Sequence, residues 1–136
     1  MLLVSLGLND NFFEGKILGS ISSNPNLIEL KLFNNSFFGK LPQDLGRNSD
    51  LELFNVSTNI FVGELPVDIC HRGALRSSIA FNNKFNGSLP AKYGECNTLS
   101  YIRVQNNSLS GEIIISSKTL FPLRSAHLHK NPKTKS

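Results

Sequence analysis

Charge is scarce in this chain, cysteine is scarcer, and no apolar run is long. Only 18% of the residues are charged, and the formal net charge is +4. Dense Lys/Arg patches interleaved with aromatics are missing, which argues against a nucleic-acid platform. No apolar stretch approaches the ~18 residues needed to span a bilayer. The opening MLLVSLGL has the apolar character of a signal-peptide core, but it has no basic start and no small-residue cleavage site. Cys70 and Cys96 are too few for a disulfide scaffold, and no CxxC or Cys/His spacing points to zinc. No Ser/His/Asp or Cys/His arrangement stands out, nor a phosphate-cradling glycine loop or a carboxylate pair, so neither a catalytic set nor a cofactor is implied. What is present is 40% hydrophobic content over 136 residues, with 10 Phe supplying bulk, which is one domain's worth of core.

That content is periodic. Asn11, Asn35, Asn59, Asn83, Asn107 and Asn131 follow one another at steps of 24 residues without an insertion. Leu3, Leu27, Leu51, Leu75, Leu99 and Leu123 keep the same step ahead of the asparagines, and Gly15, Gly39, Gly63, Gly87 and Gly111 keep it behind them. Between Asn and Gly stands Phe13, Phe37, Phe61, Phe85 or Leu109. After each Gly comes Ile17, Leu41, Leu65, Leu89 or Ile113, followed by proline at Pro42, Pro66 and Pro90. The unit LxxLxLxxNxFxGxLPxxLxxxxx has the period and first-half signature of leucine-rich repeats. The predicted fold is an α/β-type solenoid of about six 24-residue repeats, starting near 3, 27, 51, 75, 99 and 123, with a short parallel sheet on its concave face. It occupies residues 1–131, and 132–136 are expected to be a disordered basic tail.

Each part of the unit has a physical task. In LIELKLFNN, Leu30 and Leu32 share one face of a strand. A single strand cannot bury that face, whereas stacked copies close a continuous core. Where the chain leaves the strand, backbone groups meet an apolar interior. An asparagine amide both donates and accepts, so stacked asparagines form a ladder that satisfies them. The phenylalanine packs beneath the turn, the glycine takes a conformation closed to other residues, and the proline stiffens the return.

The repeats also deviate. In the fourth, Ser78 and Ala80 replace leucine and leave the inward face underfilled. A one-residue slip would turn Ile79 and Phe81 inward instead. Asn83, Phe85, Gly87 and Pro90 hold the unslipped register, so Ile79 and Phe81 are expected to face outward. Cys96 stands at a normally apolar repeat position and Cys70 at a loop position, both on the convex side of adjacent repeats. Buried thiols are the expectation over a disulfide. Neither end carries a recognisable cap, so the array is expected to be a fragment.

The phrase NxFxGxLPxxLG, as in NNSFFGKLPQDLG, resembles the extracellular domains of plant leucine-rich-repeat receptor kinases. The segments LNDNFFEGKI, NPNLIELKLFNNSFFGKLPQDLG, NVSTNIFVGELP and SYIRVQNNSLSGEI are similar to the HAESA-like subgroup of peptide-hormone receptors. The resemblance implies a parent with a signal peptide, a capped solenoid outside the plasma membrane, one membrane helix and a cytoplasmic serine/threonine kinase. It implies two partners, a short secreted peptide and a leucine-rich-repeat co-receptor kinase. Two rival readings share this repeat: a soluble inhibitor of cell-wall-degrading enzymes, and a truncated product that does not signal.

A peptide would lie across the outward strand residues. Strands ~4.8 Å apart give six repeats a track of roughly 25–30 Å, long enough for eight or nine extended residues at ~3.3 Å each. One outward column reads Gly7, Lys31, Asn55, Ile79, Arg103, His127, and the next Asn9, Phe33, Ser57, Phe81, Gln105, His129. The candidate peptide-binding residues are Lys31, Phe33, Ile79, Phe81, Tyr101, Arg103, Gln105 and His127. HAESA-like receptors hold the ligand's C-terminal carboxylate with an RxR pair on one strand. The matching strand here is YIR, so Arg103 corresponds to the second arginine, and Tyr101 stands at the first with its hydroxyl as a second donor. The competing reading takes Arg103 as a solvated strand charge and Phe33 and Phe81 as merely stacked on outward neighbours. His127 and His129 project to one face but have no third ligand nearby, so no metal is expected. Asn34, Asn55, Asn86 and Asn106 each open an N-x-S/T acceptor sequence for glycosylation. Asn55 is the least suited, since a glycan there would block the track.

Overall fold

The computed structural model describes residues 5–10, 14–15, 19–112 and 134–135, with side chains described for 5–10 and 19–110. Its first five strands are β1 (Ser5–Gly7), β2 (Glu14–Gly15), β3 (Glu29–Lys31), β4 (Ser36–Lys40) and β5 (Leu53–Asn55). The next five are β6 (Ile60–Gly63), β7 (Ser77–Ile79), β8 (Lys84–Gly87), β9 (Tyr101–Arg103) and β10 (Ser108–Leu109). The odd-numbered strands form a parallel sheet in the order β1-β3-β5-β7-β9. Its register aligns Leu6, Leu30, Phe54, Ser78 and Ile102, which is the step read from the sequence. The unslipped register holds: Ser78 and Ala80 are fully buried, and Ile79 and Phe81 lie outward and half-buried.

The even-numbered strands form a second parallel sheet that the sequence reading did not anticipate, ordered β10-β8-β6-β4-β2. It follows each asparagine turn, and its pairs, such as Phe38 with Ile60 and Val62 with Lys84, are offset by 22 residues instead of 24. Beyond it, β11 (Gly111–Glu112) pairs in parallel with β12 (Thr134–Lys135), inside the segment expected to be a disordered tail. The sixth repeat lies outside the described residues, as do Asn11, Phe13, Ile17, Ile113 and Asn131.

Between the sheets runs one apolar core, layered by repeat position. Leu27, Leu51, Leu75 and Leu99 form one buried row, and Leu32, Val56, Ala80 and Val104 another. Phe37, Phe61 and Phe85 stack with ring centroids 6.2 and 6.1 Å apart and planes within 15° of parallel, inside the favourable range for offset aromatic pairs.

The asparagine ladder has the connectivity its chemistry predicts. The Asn59 amide donates to the carbonyls of Leu32, Val56 and Ser57, and its oxygen accepts from the Phe37 N–H at 3.0 Å. Asn83 and Asn107 repeat the pattern, accepting from the N–H groups of Phe61 and Phe85. Each ladder residue thereby ties its own repeat to the preceding one. The residue before it (Asp10, Asn34, Thr58, Asn82 or Asn106) takes a left-handed backbone with φ between 54° and 60°. Gly39, Gly63 and Gly87 take φ of 87°, 82° and 79°, where a side chain would be strained.

Two expectations are corrected, one inside the fourth repeat and one at its junction with the third. Its inward face is not underfilled, because Tyr93 is buried to 3% exposure and its hydroxyl lies 3.2 Å from the Ser78 hydroxyl. Tyr93 stands where the second and third repeats have Leu45 and Ile69, so the larger residue on the return fills the space left by the smaller one on the strand. The cysteines are not buried thiols: Cys70 and Cys96 form a disulfide with Cα atoms 6.0 Å apart. Their separation of 26 residues is one repeat plus two, which brings neighbouring convex turns into bridging range. The same side carries Asp68 between Arg47 at 3.0 Å and Lys92 at 3.6 Å. Burial alone would raise the Asp68 carboxyl, but the Arg47 hydrogen bond and the charges of Arg47, Lys92 and His71 hold it below its ordinary range.

Candidate functional site

The concave sheet presents three outward columns: the first and third residues of each three-residue strand, and the residue two beyond the third. Their local cause is alternation: with Leu30, Phe54, Ser78 and Ile102 turned inward, the flanking residues must turn out. Lys31, Ile79 and Arg103 thus share a column with Asn55, while Phe33, Phe81 and Gln105 follow two residues on.

The two ends of this face differ electrostatically. At the N-terminal end, Lys31 is neutralised by Glu29 at 3.7 Å, and its stem leans toward Gly7. At the C-terminal end, Arg103 has no carboxylate partner among the described residues. Its guanidinium carbon sits 4.4 Å from the centroid of the Phe81 ring, a cation–π geometry that orients the head without neutralising it. The Arg103 Nε is buried and makes no hydrogen bond. Two residues on, Gln105 is only 7% exposed, and its Oε1 also has no partner. Unsatisfied buried polar atoms are few in folded proteins, and each asks for an explanation. Here an unpartnered donor stands at the end of β9, which begins at the half-buried Tyr101, and an unpartnered acceptor stands two residues beyond it.

The structure thus brings Ile79, Phe81, Tyr101, Arg103 and Gln105 together and sets Lys31 and Phe33 apart from them, toward the other end of the sheet. His127 and His129 lie outside the described residues. The pairing of Arg103 with Phe81 was not read from the sequence, although its signal was there: they are diagonal neighbours in adjacent columns of consecutive repeats. Asn55 lies on the concave strand β5, and its oxygen accepts from the Ser57 N–H and hydroxyl. Asn34 and Asn106 sit on the exposed turn and donate to Asp10 and Asn82, each at 2.6 Å. Asn34, then Asn9, donates to the Asp10 carboxylate, and these bonds lower its pKa. Asn86 is exposed on β8. Among the described residues, no group of three or more His, Cys, Asp or Glu gathers, and no helix is long and apolar enough to cross a membrane.

Residues 26–48 match the Leucine Rich Repeat family model. No curated protein sequence matches the chain. Among solved structures, the Arabidopsis receptor kinase HAESA in complex with the peptide hormone IDA and the co-receptor SERK1 is 43% identical, with a TM-score of 0.80 over 82% of this chain and 19% of that one. PEPR1 with AtPEP1 is 32% identical with a TM-score of 0.68, again over 82% of this chain and 19% of that one. The BIR2 ectodomain of Arabidopsis thaliana is 26% identical with a TM-score of 0.82, over 96% of this chain and 68% of that one. The chain therefore spans about a fifth of the length of the first two receptors. The repeat and both parallel sheets make the chain a leucine-rich-repeat solenoid, and these likenesses make it similar to part of the ectodomains of plant leucine-rich-repeat receptor kinases.

Proposed function

We propose that this chain recognises a short extended peptide along its concave face, as the ligand-binding part of a HAESA-like receptor kinase outside the plasma membrane. Arg103 meets the peptide's C-terminal carboxylate, with the Tyr101 hydroxyl and the Gln105 amide as neighbouring polar contacts. The apolar surface of Ile79 and Phe81 borders the preceding residues of the peptide. The observation that carries this reading is the Arg103 head, held against Phe81 with its Nε buried and unpartnered. A carboxylate would give that guanidinium the charged partner it lacks among the described residues, and forked contacts to carboxylates are what guanidinium geometry favours. The peptide complex of the 43% identical HAESA supports the class of ligand, and its SERK1 co-receptor supports the class of signalling partner.

Calorimetry with the IDA peptide as free acid and as C-terminal amide tests this. Arg103→Ala should weaken free-acid binding by about 1–3 kcal/mol, the range for a hydrogen bond to a charged group, and should hardly change amide binding. An affinity that is equal for wild type and Arg103→Ala would remove Arg103 from the site.

A further inference from the structure

The outer face of the second sheet has an unexplained surface. Phe38, Ile60 and Val62 are 40%, 45% and 37% exposed. Phe38 is paired with Ile60, and Lys40 with Val62, on adjacent strands. Contiguous exposed apolar side chains of this kind ask for a cover. Beside them lies a groove of about 410 Å³ lined by Lys40, Gln43, Val62, Gly63, Glu64 and Asn86, a size that takes a small ligand. Two glycines shape its walls. A Cβ on Gly63 would lie 2.9 Å from the Lys40 Cγ, and one on Gly87 would lie 3.0 Å from the Glu64 Cγ. The stems of Lys40 and Glu64 therefore lie flat across these glycines and flank the floor made by Val62 and Gly63.

One lining residue can carry its own occupant. Asn86, with Gly87 and Ser88, is an N-x-S acceptor sequence, and it is exposed on the rim of this groove. The other three acceptors are placed differently. Asn34 and Asn106 have their amides tied to Asp10 and Asn82 on the turn edge, and Asn55 lies on the concave strand with Ser57 buried beneath it.

We propose that Asn86 is N-glycosylated and that its first N-acetylglucosamine residues seat in this groove, covering Val62 and shielding the apolar strip. The inference rests on the extracellular reading above, since acceptor sequences are used only in the secretory pathway. Transfer from a polyprenyl-diphosphate-linked oligosaccharide forms the bond between sugar C1 and Asn86 Nδ2. It breaks the C1–O bond to diphosphate, which leaves with the electron pair while the Nδ2 proton is lost. The seated sugar turns its C–H face to Val62, and its hydroxyl and acetamido groups lie within the polar frame of Lys40, Gln43 and Glu64.

The full chain, given a cleavable secretory leader and produced in plant cells with oligomannose glycans, tests this directly. Peptide mapping by mass spectrometry should find Asn86 occupied. An endo-β-N-acetylglucosaminidase should release that glycan several-fold more slowly from the folded chain than from the denatured chain. Val62→Asp should abolish that protection while leaving occupancy unchanged, and Ser88→Ala, which removes the glycan, should increase binding of an apolar dye. An unoccupied Asn86, or equal release from folded and denatured protein, overturns the proposal. Peptide calorimetry on the same material reports separately on the concave face, so the two readings fail independently.

Discussion

In the third repeat the middle strand buries Phe54, and Ile69 closes the same layer from the convex side. In the fourth, Ser78 takes the strand position and Tyr93 the convex one, and all four side chains are buried. The backbone register through both repeats is the same, with Phe54 directly paired to Ser78. What the solenoid holds constant is therefore the filling of each layer, not the residue at each position. Close packing of interiors explains why the two positions must be read together. The fourth repeat also gains a buried polar contact, the Tyr93–Ser78 hydroxyl pair, where the third has only apolar surface.

Substituting within one repeat without its partner should break this equivalence. Phe54→Ser puts the strand residue of the fourth repeat into the third, where Ile69 cannot reach across. The cavity should cost about 3–5 kcal/mol in urea unfolding, and a loss below about 1 kcal/mol would refute the layer argument. The Cys70–Cys96 disulfide couples the two repeats across their convex turns. Replacing both cysteines with serine should lower stability by roughly 3 kcal/mol, as expected for a loop of this length. Equal unfolding midpoints with and without reductant would contradict that. Ser78→Phe alone should overpack the fourth layer and cost about 1–3 kcal/mol. Adding Tyr93→Ile, which completes the pattern of the third repeat, should recover most of that loss. The recovery is the coupling energy of a double-mutant cycle, and additive losses would show that the two positions do not share a layer.

Much of this was legible in the sequence, and the limits have physical causes. Columns such as Leu27, Leu51, Leu75 and Leu99 repeat a residue type because each meets the same layer of core, so period and inward face could be read directly. The second sheet could not. Its strands are two to five residues long, its outer face mixes Phe38, Ile60 and Lys84, and its pairing is made by backbone groups that leave little pattern in side chains. The disulfide is hard to tell from buried thiols in the sequence because a cysteine fits an apolar position equally well as a thiol. The spacing of one repeat plus two was the available signal. At the candidate site, the outward placement of Arg103 and Phe81 was readable from alternation, whereas their stacking depended on a diagonal contact between columns.

The smallest expected effect separates the repeats by pH. Burial pushes the Tyr93 hydroxyl up to about 12, and the Ser78 hydroxyl offsets that only in part. The unfolded chain loses this proton near pH ~10, so between the two values the unfolded state ionises while the folded state does not. The stability that depends on neutral Tyr93 is complete below the unfolded value and is lost as pH rises toward the folded one. The slope in that window is about 1.4 kcal/mol per pH unit for one group. Tyr93→Phe should cost about 1 kcal/mol at neutral pH, through the lost hydrogen bond to buried Ser78, and should remove this group's share of the alkaline loss. Stability curves for the two proteins, measured by urea unfolding from neutral pH upward, should therefore converge and then cross. Parallel curves would mean that the Tyr93 hydroxyl reaches water, and that the fourth repeat fills its layer less completely than the third.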